Sequence, residues 1–221
     1  MLHLPQSFLQ DPDLSTFARS VGPCTLFKEG NSSLAASQFR EPYEALAHAI
    51  VGQHLHSNAV RTIFERFCRL NTTGQTGTHP PAAETLLTIT HEALKECGLS
   101  DSKIHALKEL AKAQSDGQIP TSEQAETLDD ETLIAQLTSL YGIGRWTVEM
   151  FLIFGLHRPD VFPADDFGIR EGWRRIKKLP EKPSPRELYK TTEKFSPHRT
   201  LLTCYCWHAK EELAPPEEQS K

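Results

Sequence analysis

Two adjacent carboxylates, Asp165 and Asp166, follow Pro163 in the run Asp160-Val161-Phe162-Pro163-Ala164-Asp165-Asp166. A new helical pattern starts at the pair, so one of the two sits where a helix begins. A carboxylate there caps the first amides, and the same amides and helix dipole hold it ionised. An anion fixed in this way stabilises positive charge that develops opposite it, although capping alone is the other use of such a pair. Upstream lies Leu140-Tyr141-Gly142-Ile143-Gly144-Arg145-Trp146-Thr147, between one amphipathic pattern and a second segment, Val148 to Leu156, that is apolar on almost every side. The glycines permit positive φ and let a backbone surface approach another molecule with no Cβ in the way. The amides that open the following helix suit a phosphate. An ordinary glycine turn between core helices carries the same pattern.

The elements that must position these groups read as helices. Asp11-Pro12-Asp13 opens a first one, closed by Gly22, with Leu14, Phe17, Ala18 and Val21 on one face. A second starts near Pro42 with the stripe Tyr43, Leu46, Ala47, Ile50, Val51; it breaks at Gly52 to His56 and resumes through Val60, Ile63, Phe64 and Phe67. Further helices are expected after Thr90, Ser100, Asp130, Gly144, Asp166, Pro185 and Arg199. Helical periodicity recurs and strand alternation does not, which makes the fold class all-α. Residues 71 to 85 and 179 to 186 read as surface connectors, and residues 211 to 221 as a tail.

Composition narrows the class. Of 221 residues, 38% are hydrophobic and 24% charged, a globular balance, and no apolar run approaches the length of about 18 residues that a membrane helix needs. The net charge of −5 argues at first against phosphate binding. Residues 114 to 132, however, hold Asp116, Glu123, Glu126, Asp129, Asp130 and Glu131 with no Lys or Arg, and outside them the chain sums to +1. Arg145, Arg170, Arg174, Arg175, Lys177 and Lys178 either face phosphates or form an ordinary solvated helix face. Cysteines 24, 68, 97, 204 and 206 are odd in number and lack paired CxxC spacing. They read as small core hydrophobes in a reducing, intracellular compartment, and Cys204-x-Cys206 makes a poor metal site.

The run L-Y-G-I-G-R-W-T-V-E-M, followed by D-V-F-P-A-D-D and preceded by E-P-Y-E through G-Q-H-L-H-S, resembles the 3-methyladenine DNA glycosylase II family, within the helix-hairpin-helix glycosylases that carry a Gly-Pro-Asp region. The likeness covers roughly residues 40 to 210. It implies two helical lobes with the active-site cleft between them: a middle lobe of about 57–160 that includes the hairpin 138–147, and a second lobe of about 1–56 plus 161–210. It implies that the second Asp of the pair, Asp166, is the catalytic one, and that Trp146 and Trp207 are aromatic walls of the base pocket. Leu55 becomes the wedge that fills the gap left by a flipped nucleotide, flanked by His54 and His56; His54 departs from the glutamine of the family pattern. Gly142 and Gly144 grip a phosphate through backbone amides, with Thr147 and Arg145 beside them. The carbonyls of Thr138, Leu140 and Ile143 become ligands of a structural monovalent cation, sodium or potassium, with no cofactor required.

The resemblance also implies chemistry. An N-alkylated purine is cationic and already a good leaving group, so aromatic faces and an anion beneath the sugar suffice to excise it. Bifunctional superfamily members carry a Schiff-base lysine where this chain has Trp146, so the expected enzyme is monofunctional and leaves an intact abasic site. The expected partner is double-stranded DNA with 3-methyladenine or 7-methylguanine type lesions, bound by a monomer, with no membrane, in the cytoplasm of a bacterium or the nucleus of a eukaryote. A catalytically silent lesion-binding protein and a glycosylase for deaminated or etheno bases are the competing readings.

Overall fold

The computed structural model describes residues 4–24, 41–55, 57–71 and 78–213, with no strand among them. The helices are α1 (Gln6–Leu9), α2 (Pro12–Val21), α3 (Pro42–Gly52), α4 (Ser57–Cys68), α5 (Ala83–Thr88), α6 (His91–Glu96), α7 (Asp101–Ser115), α8 (Ser122–Thr127), α9 (Asp130–Leu137), α10 (Arg145–Phe154), α11 (Phe167–Ile176), α12 (Pro185–Thr192) and α13 (Arg199–Glu212). None among the described residues is long and apolar enough to cross a membrane. Side-chain caps fix many of the starts: Asp11, Ser100, Asp129, Asp166 and Ser184 each accept an amide of the first turn.

The chain divides into two compact units, residues 1–28 with 158–221, and residues 29–157. In the first, Phe8 meets Phe195 and Tyr205 edge-on, at 5.3 and 6.2 Å between ring centroids, inside a core that includes Leu14, Trp173 and Leu202. Helices α11 and α13 cross there in close contact. Gly172 makes the crossing possible, since a Cβ at that position would collide with the Cys206 carbonyl. The start of α13 fastens the segment leading to Asp166: Thr200 Oγ1 accepts the Val161 amide at 2.9 Å, Thr203 donates to the Val161 carbonyl at 3.1 Å, and the Arg199 guanidinium binds both oxygens of Asp160 at 2.8 Å.

The second unit is built on α3, which packs against α7 and α10 and buries Tyr43, Leu46, Ala47, Ile50 and Val51. Lys103 caps its last turn by donating to the Val51 carbonyl at 2.8 Å, and Lys108 closes α5 on the carbonyls of Leu86, Leu87 and Ile89. Residues 41–55 therefore belong with the middle of the chain, and the sequence-based assignment of residues 1–56 to the terminal lobe is corrected. A helix apolar on nearly every side is the core of whichever unit contains it, and here its neighbours are α7 and α10.

Two further expectations change. Residues 78–85 are not simply a surface connector: Pro80, Pro81 and Ala83 are buried, the Tyr43 hydroxyl donates to the Pro81 carbonyl at 2.8 Å, and α5 starts at Ala83. Cys24 and Cys204 are disulfide-bonded across 180 residues of sequence, whereas Cys68, Cys97 and Cys206 are free and buried. The Tyr205 hydroxyl, donating to the Gly22 carbonyl at 3.1 Å, holds the segment of Cys24 beside α13.

Candidate functional site

Asp166 is the N-cap of α11. Its Oδ1 accepts the Ile169 amide at 2.8 Å and the Trp207 indole N–H at 3.2 Å, so the helix end and α13 together fix the carboxylate. Its own amide donates to the Pro163 carbonyl at 3.0 Å, which sets the turn that Pro163 begins. Asp165 is exposed, whereas Asp166 is half-buried, so the structure separates the two members of the pair. Gly168 keeps the space beside this carboxylate open, because a Cβ there would stand 3.1 Å from Asp166 Oδ1 and 3.2 Å from the Trp207 ring. Trp207 packs against the core of its unit while its N–H turns to Asp166. Burial first, and the Asp166 charge second, push the neighbouring Cys206 thiol up, so it stays protonated and unreactive. Phe167, next to Asp166, is exposed beneath the Lys182 ammonium, 3.9 Å from the ring centroid.

The hairpin lies in the other unit. It runs from the end of α9 to the start of α10, and its two glycines have different causes. Gly142 has φ +75°, and a Cβ there would collide with Ala106 of α7, so this glycine is dictated by the turn and by packing. Gly144 has φ −92°, and a Cβ there would meet nothing within 4 Å. Nothing in the protein's own packing demands a glycine at Gly144, which caps α10 at an open, exposed position. Gly144 gives α10 no side-chain cap, which leaves the positive end of that helix facing outward. Tyr141 is exposed at the turn and meets His105 of α7 edge-on at 4.2 Å. Trp146, in the first turn of α10, is half-buried.

The remaining residues singled out in the sequence take varied places. Leu55 is 39% exposed at the end of α3, and His54 before it adopts φ +57°. His56 lies outside the described residues. Thr147 is buried, and its hydroxyl accepts Gln53 Nε2 at 3.1 Å, so it supports the hairpin from within. Gln53, which lies in the matched run G-Q-H-L-H-S but was given no role from the sequence, also donates to the Gly142 carbonyl at 3.0 Å. The Arg145 guanidinium binds Glu131 and the buried Glu149, the latter at 3.1 Å. The Leu140 carbonyl accepts the Ile143 amide at 3.3 Å, while among the described residues no amide from outside a helix donates to the Thr138 or Ile143 carbonyl. That carbonyl set retains lone pairs and fits a monovalent cation in donor chemistry.

The basic run after Asp166 is mostly paired within the protein. Arg174 and Arg175 both bind Glu171 at 2.7 Å, and Lys177 bridges Asp11 at 2.8 Å and Asp13 at 2.7 Å. Arg170 donates to the Pro183 carbonyl at 2.9 Å. The reading of these side chains as a phosphate-facing cluster is corrected accordingly for Arg174, Arg175 and Lys177.

Residues 47–198 match the family model of the HhH-GPD superfamily base excision DNA repair protein. The chain belongs to that family. Within it, this HhH-GPD protein is 45% identical over 168 residues to DNA-3-methyladenine glycosylase 1 of Schizosaccharomyces pombe, covering 76% of this chain and 72% of that one. It is 32% identical over 197 residues to the alkylbase DNA glycosidase-like protein mag2 of the same yeast, covering 89% and 87%. Among solved structures, that of S. pombe 3-methyladenine DNA glycosylase (Mag1) in complex with abasic DNA matches with a TM-score of 0.78 and 37% identity, over 92% of this chain and 95% of that one. The described residues of this HhH-GPD protein are helical in keeping with that likeness, and the all-α reading holds.

Proposed function

We propose that the chain is a monofunctional DNA glycosylase that hydrolyses the N-glycosidic bond of alkylated purines, of the 3-methyladenine and 7-methylguanine type, and leaves an abasic site. The observation that carries this reading is the Asp166 carboxylate, fixed at the N-terminus of α11 by the Ile169 amide and by the Trp207 N–H. The names of the S. pombe relatives support the substrate class.

In this mechanism a lesion is flipped out of the duplex at a cost of a few kcal/mol, lowest where pairing is already weakened, and Leu55 fills the gap. The α10 terminus around Gly144 receives a phosphate, and the Trp207 indole, bound to Asp166, offers an aromatic face to the cationic base, while Trp146 of the other unit is an aromatic of the same kind. Bond cleavage builds positive charge on the sugar. Asp166 stabilises that charge and accepts the proton of the attacking water. Trp146 supplies no amine for a Schiff base, so the abasic sugar is not opened. A sodium or potassium ion on the Thr138, Leu140 and Ile143 carbonyls would neutralise the convergence of these dipoles and stiffen the hairpin. One protomer presents every group named here, and a monomer suffices.

The test is incubation with methylated duplex DNA. Released 3-methyladenine and 7-methylguanine are expected, in excess over hypoxanthine and ethenoadenine, with no covalent adduct trapped by borohydride. A trapped adduct refutes the monofunctional assignment. Retained affinity for abasic DNA with no base released from any substrate establishes a lesion-binding protein instead.

A further inference from the structure

The segment between α3 and α4 presents a problem of mechanical coupling. A wedge works only if it is rigid relative to the groups that grip the backbone, yet Leu55 is exposed and stands three residues beyond the helix that carries it. His54 in between has φ +57°, a conformation unfavourable for a side chain with a Cβ and maintained only where neighbouring contacts determine it. The intervening Gln53 leaves the helix with φ −51° and ψ 128° and sends its side chain to the hairpin.

We propose that Gln53 is the positioning residue that locks the Leu55 wedge to the phosphate-gripping hairpin, so that grip and insertion act as one rigid element; the assignment rests on the glycosylase reading above. The carboxamide nitrogen has two hydrogens, and they go to two acceptors that straddle Gly144: the Gly142 carbonyl at 3.0 Å and the Thr147 hydroxyl at 3.1 Å. Both acceptors are themselves immobile. Gly142 is pressed against Ala106, and Thr147 is buried in the first turn of α10. The other end of the link is equally firm, because Lys103 binds the Val51 carbonyl just before the segment departs. Gln53 touches neither the base nor the sugar in this scheme. It acts by fixing where Leu55 stands relative to Gly144, across sequence separations of 89 and 94 residues to the hairpin.

The experiment compares full-length wild type with Gln53→Ala, with the near-isosteric Gln53→Glu, whose carboxylate cannot donate, and with Thr147→Val, which removes one acceptor and preserves shape. Binding is measured to an undamaged duplex and to a duplex with an abasic-site analogue and 2-aminopurine opposite it, whose fluorescence reports the local disruption of stacking. Loss of both bonds is expected to weaken abasic-duplex binding about tenfold and undamaged-duplex binding less than about twofold. The fluorescence change at saturation should be largely lost in both Gln53 variants and partly lost in Thr147→Val. Equal losses on both duplexes identify Gln53 as general support for the fold and overturn the proposal, as does wild-type abasic preference that survives with an unaltered fluorescence signal. A wild type with no preference for the abasic duplex overturns the glycosylase reading and this assignment with it. Should Gln53→Ala fail to fold, Gln53→Glu and Thr147→Val decide the matter.

Discussion

Asp166 has two jobs in this scheme, and a pair of substitutions separates them. As an N-cap it accepts the Ile169 amide at 2.8 Å and the Trp207 N–H at 3.2 Å, both through Oδ1. Asparagine caps helices about as well as aspartate, and its Oδ1 can serve the same two donors with the same volume beside Gly168. Asp166→Asn therefore removes the charge and keeps the architecture, at a stability cost of no more than about 1 kcal/mol as charge-assisted bonds become neutral ones. Asp166→Ala removes the cap as well, for a loss of about 1–2 kcal/mol. In catalysis the two should be alike, because the anion is what stabilises the developing sugar cation: excision should fall on the order of 100-fold or more in each. The assay is single-turnover release of 7-methylguanine, read beside urea unfolding and abasic-DNA affinity, which should survive in Asp166→Asn. Asp165→Asn, altering the exposed neighbour, should be distinctly milder. An Asp166→Asn protein that excises at near wild-type rate, or one destabilised as much as Asp166→Ala, refutes the reasoning.

The two hairpin glycines should respond in opposite ways. Gly142→Ala must strain a φ of +75° and displace Ala106, so it is expected to cost 1 kcal/mol or more (about 1–3) in urea unfolding, whereas Gly144→Ala should leave stability within about 0.5 kcal/mol and weaken DNA binding at least severalfold in anisotropy titrations. Acid should destabilise the protein in two stages. Burial pushes His48 down to about 4, so the unfolded chain takes up its proton first and stability falls from about pH 6.5 towards 4; hydrogen bonds from Arg174, then Arg175, hold Glu171 down to about 2, so its contribution is present above about 4.5 and lost as pH falls towards 2. Urea midpoints measured from pH 8 to 3 should follow this order, and His48→Phe should flatten the upper stage alone; an unchanged upper slope rules out His48 as its source.

The all-α fold was legible because caps and periodicity agreed. Asp11-Pro12, Ser100 and Asp166 start helices where the sequence announces them, α9 begins one residue earlier than expected because Asp129 rather than Asp130 caps it, and the stripes of α3 and α10 identify core helices. The short helices α1, α5 and α8 escaped because four to six residues are too few turns for a stripe to emerge. A local signal did exist for α8, whose Thr121 and Gln124 form a capping box. The disulfide of Cys24 with Cys204 was not legible, because only tertiary folding brings together positions 180 apart. Gln53 stood inside the matched run G-Q-H-L-H-S, yet its role was hidden for the same reason, since its partners on the hairpin lie 89 and 94 residues away in sequence.

The net charge of −5 now has a different meaning from the one its size suggests. The basic residues that first seemed available to phosphates are largely committed: Arg145 to Glu131 and Glu149, Arg174 and Arg175 to Glu171, Lys177 to Asp11 and Asp13. Of these pairs, those on the buried Glu149 and Glu171 set local geometry, since losing one partner there would strand a desolvated carboxylate. Glu149 holds Arg145 against α10 at the mouth of the hairpin, and Glu171 orients Arg175 within α11, from where that guanidinium donates to the Lys210 carbonyl of α13. Cationic side chains thus serve chiefly inside the protein, Arg145 at the start of α10 and Arg174 and Arg175 in the last turn of α11. The phosphate grip proposed at Gly144 draws on the backbone dipole of α10, a source of positive potential that a count of Lys and Arg does not register. An acidic chain can therefore belong to a DNA repair family without a broad basic face, provided that its contacts to phosphate are few and are made by the main chain.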